Sequence, residues 1–224
     1  MAADRLVLPP LHAIVDDSTC LRAGLDPGAV AEAYLESGVR WLQLRAKGAG
    51  GRLCLSWARR IAARARATGA HFVVNDRADI ARLVSAGVHV GQDDLPALAA
   101  RSIVGEHALI GLSTHTLEQV ERSLTLPVSY IAIGPVFQTQ TKDTGYQAVG
   151  LSLVRQVASL VGGSLPIVAI GGITLDRAPA VLEAGATAVA VIGDLMLPDP
   201  RARAAEWVEK MGSGIISALR ESRS

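Results

Sequence analysis

Eight short apolar runs, separated by Ala-rich amphipathic stretches, constrain this chain more than any other feature. The runs are LHAIV (Leu11 to Val15), RWLQLR (Arg40 to Arg45), HFVVN (His71 to Asn75), VHVG (Val88 to Gly91), ALIGLS (Ala108 to Ser113), YIAIG (Tyr130 to Gly134), PIVAIGG (Pro166 to Gly172) and AVAVIG (Ala188 to Gly193). Most are rich in Val and Ile, bounded by Gly or polar residues, and too short for helices, as strands buried on both faces are. Pro27 to Ser37, Leu53 to Thr68, Arg77 to Ser85, Leu95 to Ile103, Thr116 to Ser123, Leu151 to Leu160, Thr174 to Glu183 and Pro200 to Met211 read as helices. Gly38, Gly69, Gly87 and Gly185 supply helix stops, and Asp26-Pro27 and Thr174 supply starts. Eight alternating units, with a mean period of roughly 28 residues, predict a parallel sheet with right-handed crossovers. Closed on itself, that sheet is an α/β fold, a single-domain (β/α)8 TIM barrel. A doubly wound open sheet is the alternative, and it suits eight equal units less well. The domain is expected over residues 1–224, with 1–10 and 212–224 as terminal extensions, the second a last helical turn and a frayed end.

Composition narrows the function classes. Half of the 224 residues are apolar and only 4% are aromatic, so aliphatic side chains fill a core large enough to need no disulfide or metal staple. The formal net charge is +1, which argues against a nucleic-acid binder held by bulk charge. No apolar run reaches the roughly 18 residues needed to span a bilayer, and no membrane partner is expected. Met1 to Pro10 lacks the basic start and apolar stretch of a signal peptide. Cys20 and Cys54 form no CxxC pair, and two free thiols in the cytoplasm are expected. A homo-oligomer is left open.

The active site of such a barrel lies at the C-terminal ends of its strands. The second run ends in Gln43, Arg45 and Lys47, whose alternation sends an amide and two cations to one face, where they suit an anion with several oxygens. The third and fourth end at Asp76 and Asp94. Each could cap the following helix; together, with cations across the mouth, they favour Mg²⁺ held with substrate phosphate. The fifth brings Ser113 and His115, a hydroxyl and a base, with no acid to complete a triad. The sixth opens a long loop to about Gly150 that carries Thr139, Thr141 and Lys142, suited to phosphate. Gly171-Gly172 and the Ile192-Gly193 turn stand where these barrels bind phosphate through backbone N–H groups, although tight turns alone would also ask for glycine. His12, His71, His89 and His107 are read as structural. Two anion sites at one mouth fit an enzyme joining two phosphorylated small molecules.

These residues resemble a known family. QLRAK, NDRADIA, GVHVGQDDLP, GLSTHT, IAIGPVFQTQTK, VAIGGIT and GATAVAVIG are similar in order and spacing to the thiamine-phosphate synthases, over about residues 11 to 195. The combination of GQDDLP, GLSTHT and GPVFQTQTK carries the specificity. The resemblance implies a (β/α)8 barrel that couples a pyrimidine-methyl diphosphate to a thiazole phosphate, forming thiamine phosphate and pyrophosphate. It implies that Gln43, Arg45, Lys47 and Asn75 bind the pyrimidine diphosphate and that Asp76 and Asp94 hold Mg²⁺. It further implies that Ser113 and Lys142 contact the pyrophosphate, with Ser113, Lys142 and Arg45 serving catalysis. Thr139, Thr141, Gly172, Ile192 and Gly193 would hold the thiazole phosphate. The chain departs from the family pattern at Ala46 (usually Glu), Gln138 (usually Pro) and Gly193 (usually Ser), and the stretch between NDR and GQDD is a residue short. The closest rival is a TenI-type thiazole tautomerase, with His115 as its proton shuttle; Asp94 and Lys142 favour the synthase. A non-catalytic binder would have no use for leaving-group activation.

Overall fold

A computed structural model describes residues 6–139 and 147–212. Its strands are β1 (Leu11–Asp16), β2 (Trp41–Arg45), β3 (His71–Asn75), β4 (Gly87–Val90), β5 (Ile110–Thr114), β6 (Tyr130–Ile133), β7 (Ile167–Ile170) and β8 (Ala188–Val191). Each pairs in parallel with the next, and β8 pairs with β1, closing the barrel. The described helices are α1 (Asp17–Arg22), α2 (Pro27–Glu36), α3 (Gly51–Thr68), α4 (Ala78–Val84), α5 (Ala97–Val104), α6 (Leu117–Ser123), α7 (Gly150–Val161), α8 (Ala178–Glu183) and α9 (Pro200–Lys210). The order is that of the predicted (β/α)8 barrel. Among the described residues no helix is long and apolar enough to cross a membrane.

Local chemistry sets the boundaries. Asp26 accepts a hydrogen bond from Ala29 N at 2.8 Å and Pro27 follows it, so α2 starts where the sequence predicts. Helix α8 starts at Ala178, four residues beyond Thr174. Pro179 explains the difference, because proline is tolerated in the first turn of a helix and not further in. Thr174 instead anchors a turn, its carbonyl accepting from Arg177 N and Ala178 N at 3.0 Å each. The short helix α1 was not expected. Asp16 nucleates it, accepting from Thr19 N at 2.8 Å. The tail beyond Gly212 lies outside the described residues.

Two apolar cores result. The larger lies between the strands and the helices. The smaller lies inside the barrel, built from Leu8, Ile14, Trp41, Tyr130, Ala132, Val168, Ala188 and Ala190. Trp41 and Tyr130 are fully buried and meet edge to face, with ring centroids 4.9 Å apart. Both stand at the N-terminal ends of their strands and close the floor. The alanines of β6 and β8 fill little space, so the volume above the rings stays open toward the C-terminal mouth. The period of two in each strand thus decides which side chains meet a ligand.

Candidate active site

A cavity of about 330 Å³ opens at the C-terminal ends of the strands, within the size range of small-molecule sites. Its wall includes Gln43 and Arg45 from β2, Asn75 from β3, Ser113 from β5, Thr139, and Gly172, Ile192 and Gly193 from the turns after β7 and β8. The structure therefore brings these eight predicted residues together. Lys47, Asp76 and Asp94 stand beside this wall rather than on it. Thr141 and Lys142 lie outside the described residues.

The side-chain amides of Gln43 and Asn75 line the cavity. Gln43 Nε2 and Asn75 Nδ2 are buried and find no hydrogen-bond acceptor among the described residues. A buried donor left unpaired costs about 1–3 kcal/mol, so both are poised to bind a polar ligand.

Arg45 is held by a neighbour that the sequence reading passed over. Its guanidinium pairs with the fully buried carboxylate of Asp16. That carboxylate also accepts from Ser18 Oγ at 2.6 Å and Thr19 Oγ1 at 2.8 Å. Burial pushes the Asp16 carboxyl upward, but hydrogen bonds from Ser18, Thr19 and Arg45 outweigh it and hold the group below the usual carboxylate range. A depressed native pKa adds stability above the unfolded value near 4, and that stability is lost as pH falls through the native value. Asp16→Asn is therefore expected to cost about 1–3 kcal/mol at neutral pH. It should also flatten the loss of stability between about pH 5 and pH 2. Thermal melts across that range check both effects.

The predicted carboxylate pair forms, and neither member caps a helix. Asp76 has φ 61°, a left-handed conformation that Asp tolerates better than most residues, and the cap of α4 is Arg77. Its carboxylate lies 3.0 Å from Lys47 Nζ. Lys47 thus turns to Asp76, beyond the end of β2, instead of continuing the inward row of Gln43 and Arg45. Asp94 folds back so that its Oδ2 accepts from Gly91 N at 2.8 Å. Helix α5 begins only at Ala97, after Pro96. Burial raises the Asp76 carboxyl above the usual range, Lys47 opposes the rise, and the adjacent Asp94 adds to it. A cation between the two carboxylates would relieve that repulsion. Among the described residues no group of three or more His, Cys, Asp or Glu converges on one point. A metal here would take its remaining oxygens from ligand and water, the habit of Mg²⁺.

Ser113 has a different partner from the one expected. Its Oγ lies 2.9 Å from His89 Nε2, and His89 Nδ1 lies 2.9 Å from the Tyr130 hydroxyl. His89, read as structural, lines the cavity and orients Ser113. With Tyr130 donating to Nδ1, Nε2–H donates to Ser113 and leaves the serine proton for a ligand. His115, expected as the base beside Ser113, sets its Nδ1 2.5 Å from the Gly134 carbonyl oxygen. Period-two counting along β4 would have found His89, because it faces inward with Gly87 and Gly91.

The turn after β7 needs glycine on steric grounds as well. Gly171 and Gly172 have φ 104° and 61°, and a Cβ on Gly172 would fall 2.5 Å from Gln138 O. Arg177, another residue the sequence reading missed, donates to Gly172 O at 2.8 Å and lies 4.8 Å from the Phe137 ring centre. It adds a second cation to the cavity wall, beyond the end of β7. The mouth thus has Arg45 with two open amides at β2 and β3, Arg177 beyond β7 and a carboxylate pair at its rim, an arrangement that can bind two anionic ligands.

The chain is similar to known proteins over most of its length. A family model described as thiamine monophosphate synthase matches residues 11–195. A thiamine-phosphate synthase of Koribacter versatilis is 42% identical over 217 residues, covering 94% of this chain and 100% of the relative. One from Acidothermus cellulolyticus is 44% identical over 191 residues, covering 84% and 89%. The solved thiamine phosphate pyrophosphorylase of Pyrococcus furiosus has a TM-score of 0.79 at 30% identity, covering 91% of this chain and 96% of that one. The family match runs from the first residue of β1 into the turn after β8 and so spans every strand of the barrel. By sequence and by fold alike, the chain belongs to the thiamine monophosphate synthase family.

Proposed function

We propose that this chain condenses 4-amino-2-methyl-5-(diphosphooxymethyl)pyrimidine with a thiazole phosphate, releasing pyrophosphate and forming thiamine phosphate. The observation that supports this most is the pairing of Asp76 with Asp94 at the rim of a cavity whose wall presents Gln43, Asn75 and Arg45. In this reading the amides hold the pyrimidine, while Arg45, Lys47 and Lys142 surround the diphosphate. Ser113, oriented by His89, donates to it. Thr139, Thr141, Gly172, Ile192 and Gly193 receive the thiazole phosphate, with Arg177 as an added cation.

Asp76 and Asp94 would hold Mg²⁺, which neutralises charge on the departing diphosphate when bound. The protein's own part is electrostatic. The C–O bond of the methylene carbon breaks and its electron pair leaves with the diphosphate. The amino group of the pyrimidine donates electron density to the cation left behind. The thiazole nitrogen then supplies the pair for the new C–N bond. No protein nucleophile and no proton transfer is required, which accounts for a site with donors and cations but no triad. The cytoplasm suits two buried free thiols, Cys20 and Cys54.

The test is pyrophosphate release from the purified protein, with both substrates, in Mg²⁺ and then in EDTA. We expect release that needs both substrates and the metal, with thiamine phosphate as product. Isomerisation of the carboxylated thiazole phosphate without pyrophosphate release would overturn the reading in favour of a tautomerase.

A further inference from the structure

Of the two buried polar side chains of the cavity that the mechanism above does not use, Thr114 donates to Ala132 O at 3.0 Å, and His12 is left. His12 lies on β1, two residues below Ile14, and both line the cavity. It is 1% exposed, and neither ring nitrogen has a hydrogen-bond partner among the described residues. Its ring lies flat on the Trp41 indole, centroids 3.9 Å apart with an interplanar angle of 2°, and meets the Tyr130 ring edge-on at 5.9 Å. The stack fixes the plane of the imidazole. Across β1 and β8 its register partner is Ala190, a small side chain that also lines the cavity. Burial, and the nearby His89, keep His12 neutral.

A neutral imidazole carries one N–H donor and one lone-pair acceptor. Leaving both unpaired in a buried site is costly, and the cost is recovered when a ligand supplies the partner. Of the two substrates in the proposed reaction, the thiazole has no N–H to donate. Its single nitrogen must keep its lone pair for the new bond. The aminopyrimidine has an exocyclic amine, and an acceptor on that N–H strengthens electron donation into the ring as the methylene cation develops.

Resting on the proposed synthase reading, we infer that His12 is a specificity-determining residue that accepts a hydrogen bond from the exocyclic amine of the pyrimidine substrate. It extends the row of polar groups on Gln43 and Asn75 by one strand, down toward the barrel floor. The role belongs to recognition of the base and not of the diphosphate.

The test uses His12→Phe, which keeps the aromatic stack on Trp41 and removes both nitrogens. Calorimetry measures binding of the aminopyrimidine diphosphate and of its analogue lacking the amine, with Mg²⁺ and without the thiazole. We expect the variant to bind the amino compound about ten-fold or more weakly. Affinity for the analogue and the melting temperature should stay at or above wild type, and the KM for thiazole phosphate should be unchanged. Equal losses on both pyrimidines would assign His12 to packing and overturn the inference. No loss on either would overturn it too, leaving water as the partner of the ring. Should His12→Phe fail to fold, His12→Gln retains an acceptor and should bind the amino compound within about three-fold of wild type; a larger loss there counts against the proposal. If the wild-type protein forms no thiamine phosphate, the synthase reading fails and carries this inference with it. If it does form it, a negative result on His12 concerns His12 alone.

Discussion

Asp94→Ala is expected to lower the rate of pyrophosphate release by at least about a hundred-fold while leaving the barrel folded. The fold is spared because Asp94 supports no helix. Helix α5 begins three residues later, at Ala97, behind Pro96. The bond from Gly91 N to Oδ2 is half-buried in a turn whose Gln92 and Asp93 are exposed, so water can replace it. Its removal also takes away the neighbour that raises Asp76, and Lys47 remains 3.0 Å from Asp76 to balance it. The melting temperature should stay within a few degrees of wild type. The catalytic loss follows because one carboxylate holds a hard divalent cation against water far more weakly than two. Activity within three-fold of wild type at ordinary Mg²⁺ would sink the metal assignment, and pyrophosphate release measured across a Mg²⁺ titration decides it.

That geometry also marks what a linear reading can reach. Asp76 and Asp94 were legible as a pair because each follows a strand on adjacent staves of the same barrel, so the fold alone brings them to one rim. Whether they cap helices or face each other depends on backbone angles, and the left-handed φ of Asp76 is not written in the letters NDRA. Gln43 and Arg45 were legible from alternation, whereas Lys47 turns toward Asp76 once β2 has ended at Arg45. Ser113 was found by its place at a strand end, but its partner was taken to be His115, two residues away. Proximity in sequence misled, because side chains two apart share a face only while the strand lasts, and β5 ends at Thr114. The true partner, His89, comes from the neighbouring strand, and the β4–β5 register sets it opposite Gly111. Asp16 and Arg177 were missed for a related reason: both act through contacts distant in sequence, one on Arg45 and the other on the Phe137 ring.

Gly111 is where that hidden layer is most sensitive. It sits on the inward face of β5, between His89 and Tyr130. A Cβ placed there would fall 2.2 Å from Tyr130 Cζ, 2.3 Å from the Tyr130 hydroxyl oxygen and 2.3 Å from His89 Nδ1. No strained φ is involved, so the demand for glycine is one of space. Tyr130 cannot yield easily, since its ring is fully buried and braced edge-on by Trp41. Overpacking a fixed core site costs about 1–3 kcal/mol, and here the bond between His89 and Tyr130 would be lost as well. Gly111→Ala is therefore expected to destabilise the protein by about 3 kcal/mol, a fall of roughly 6–12 °C in melting temperature for a chain of this size. Displacing His89 also removes the group that aims Ser113. The surviving folded protein, assayed well below its lowered melting temperature, should show a reduced kcat with little change in the KM for thiazole phosphate. Ser113→Ala supplies the control: it should lower kcat by a similar factor without the thermal loss. If Gly111→Ala melts within about 2 °C of wild type, the packing of the barrel floor around Tyr130 is looser than the contact distances require.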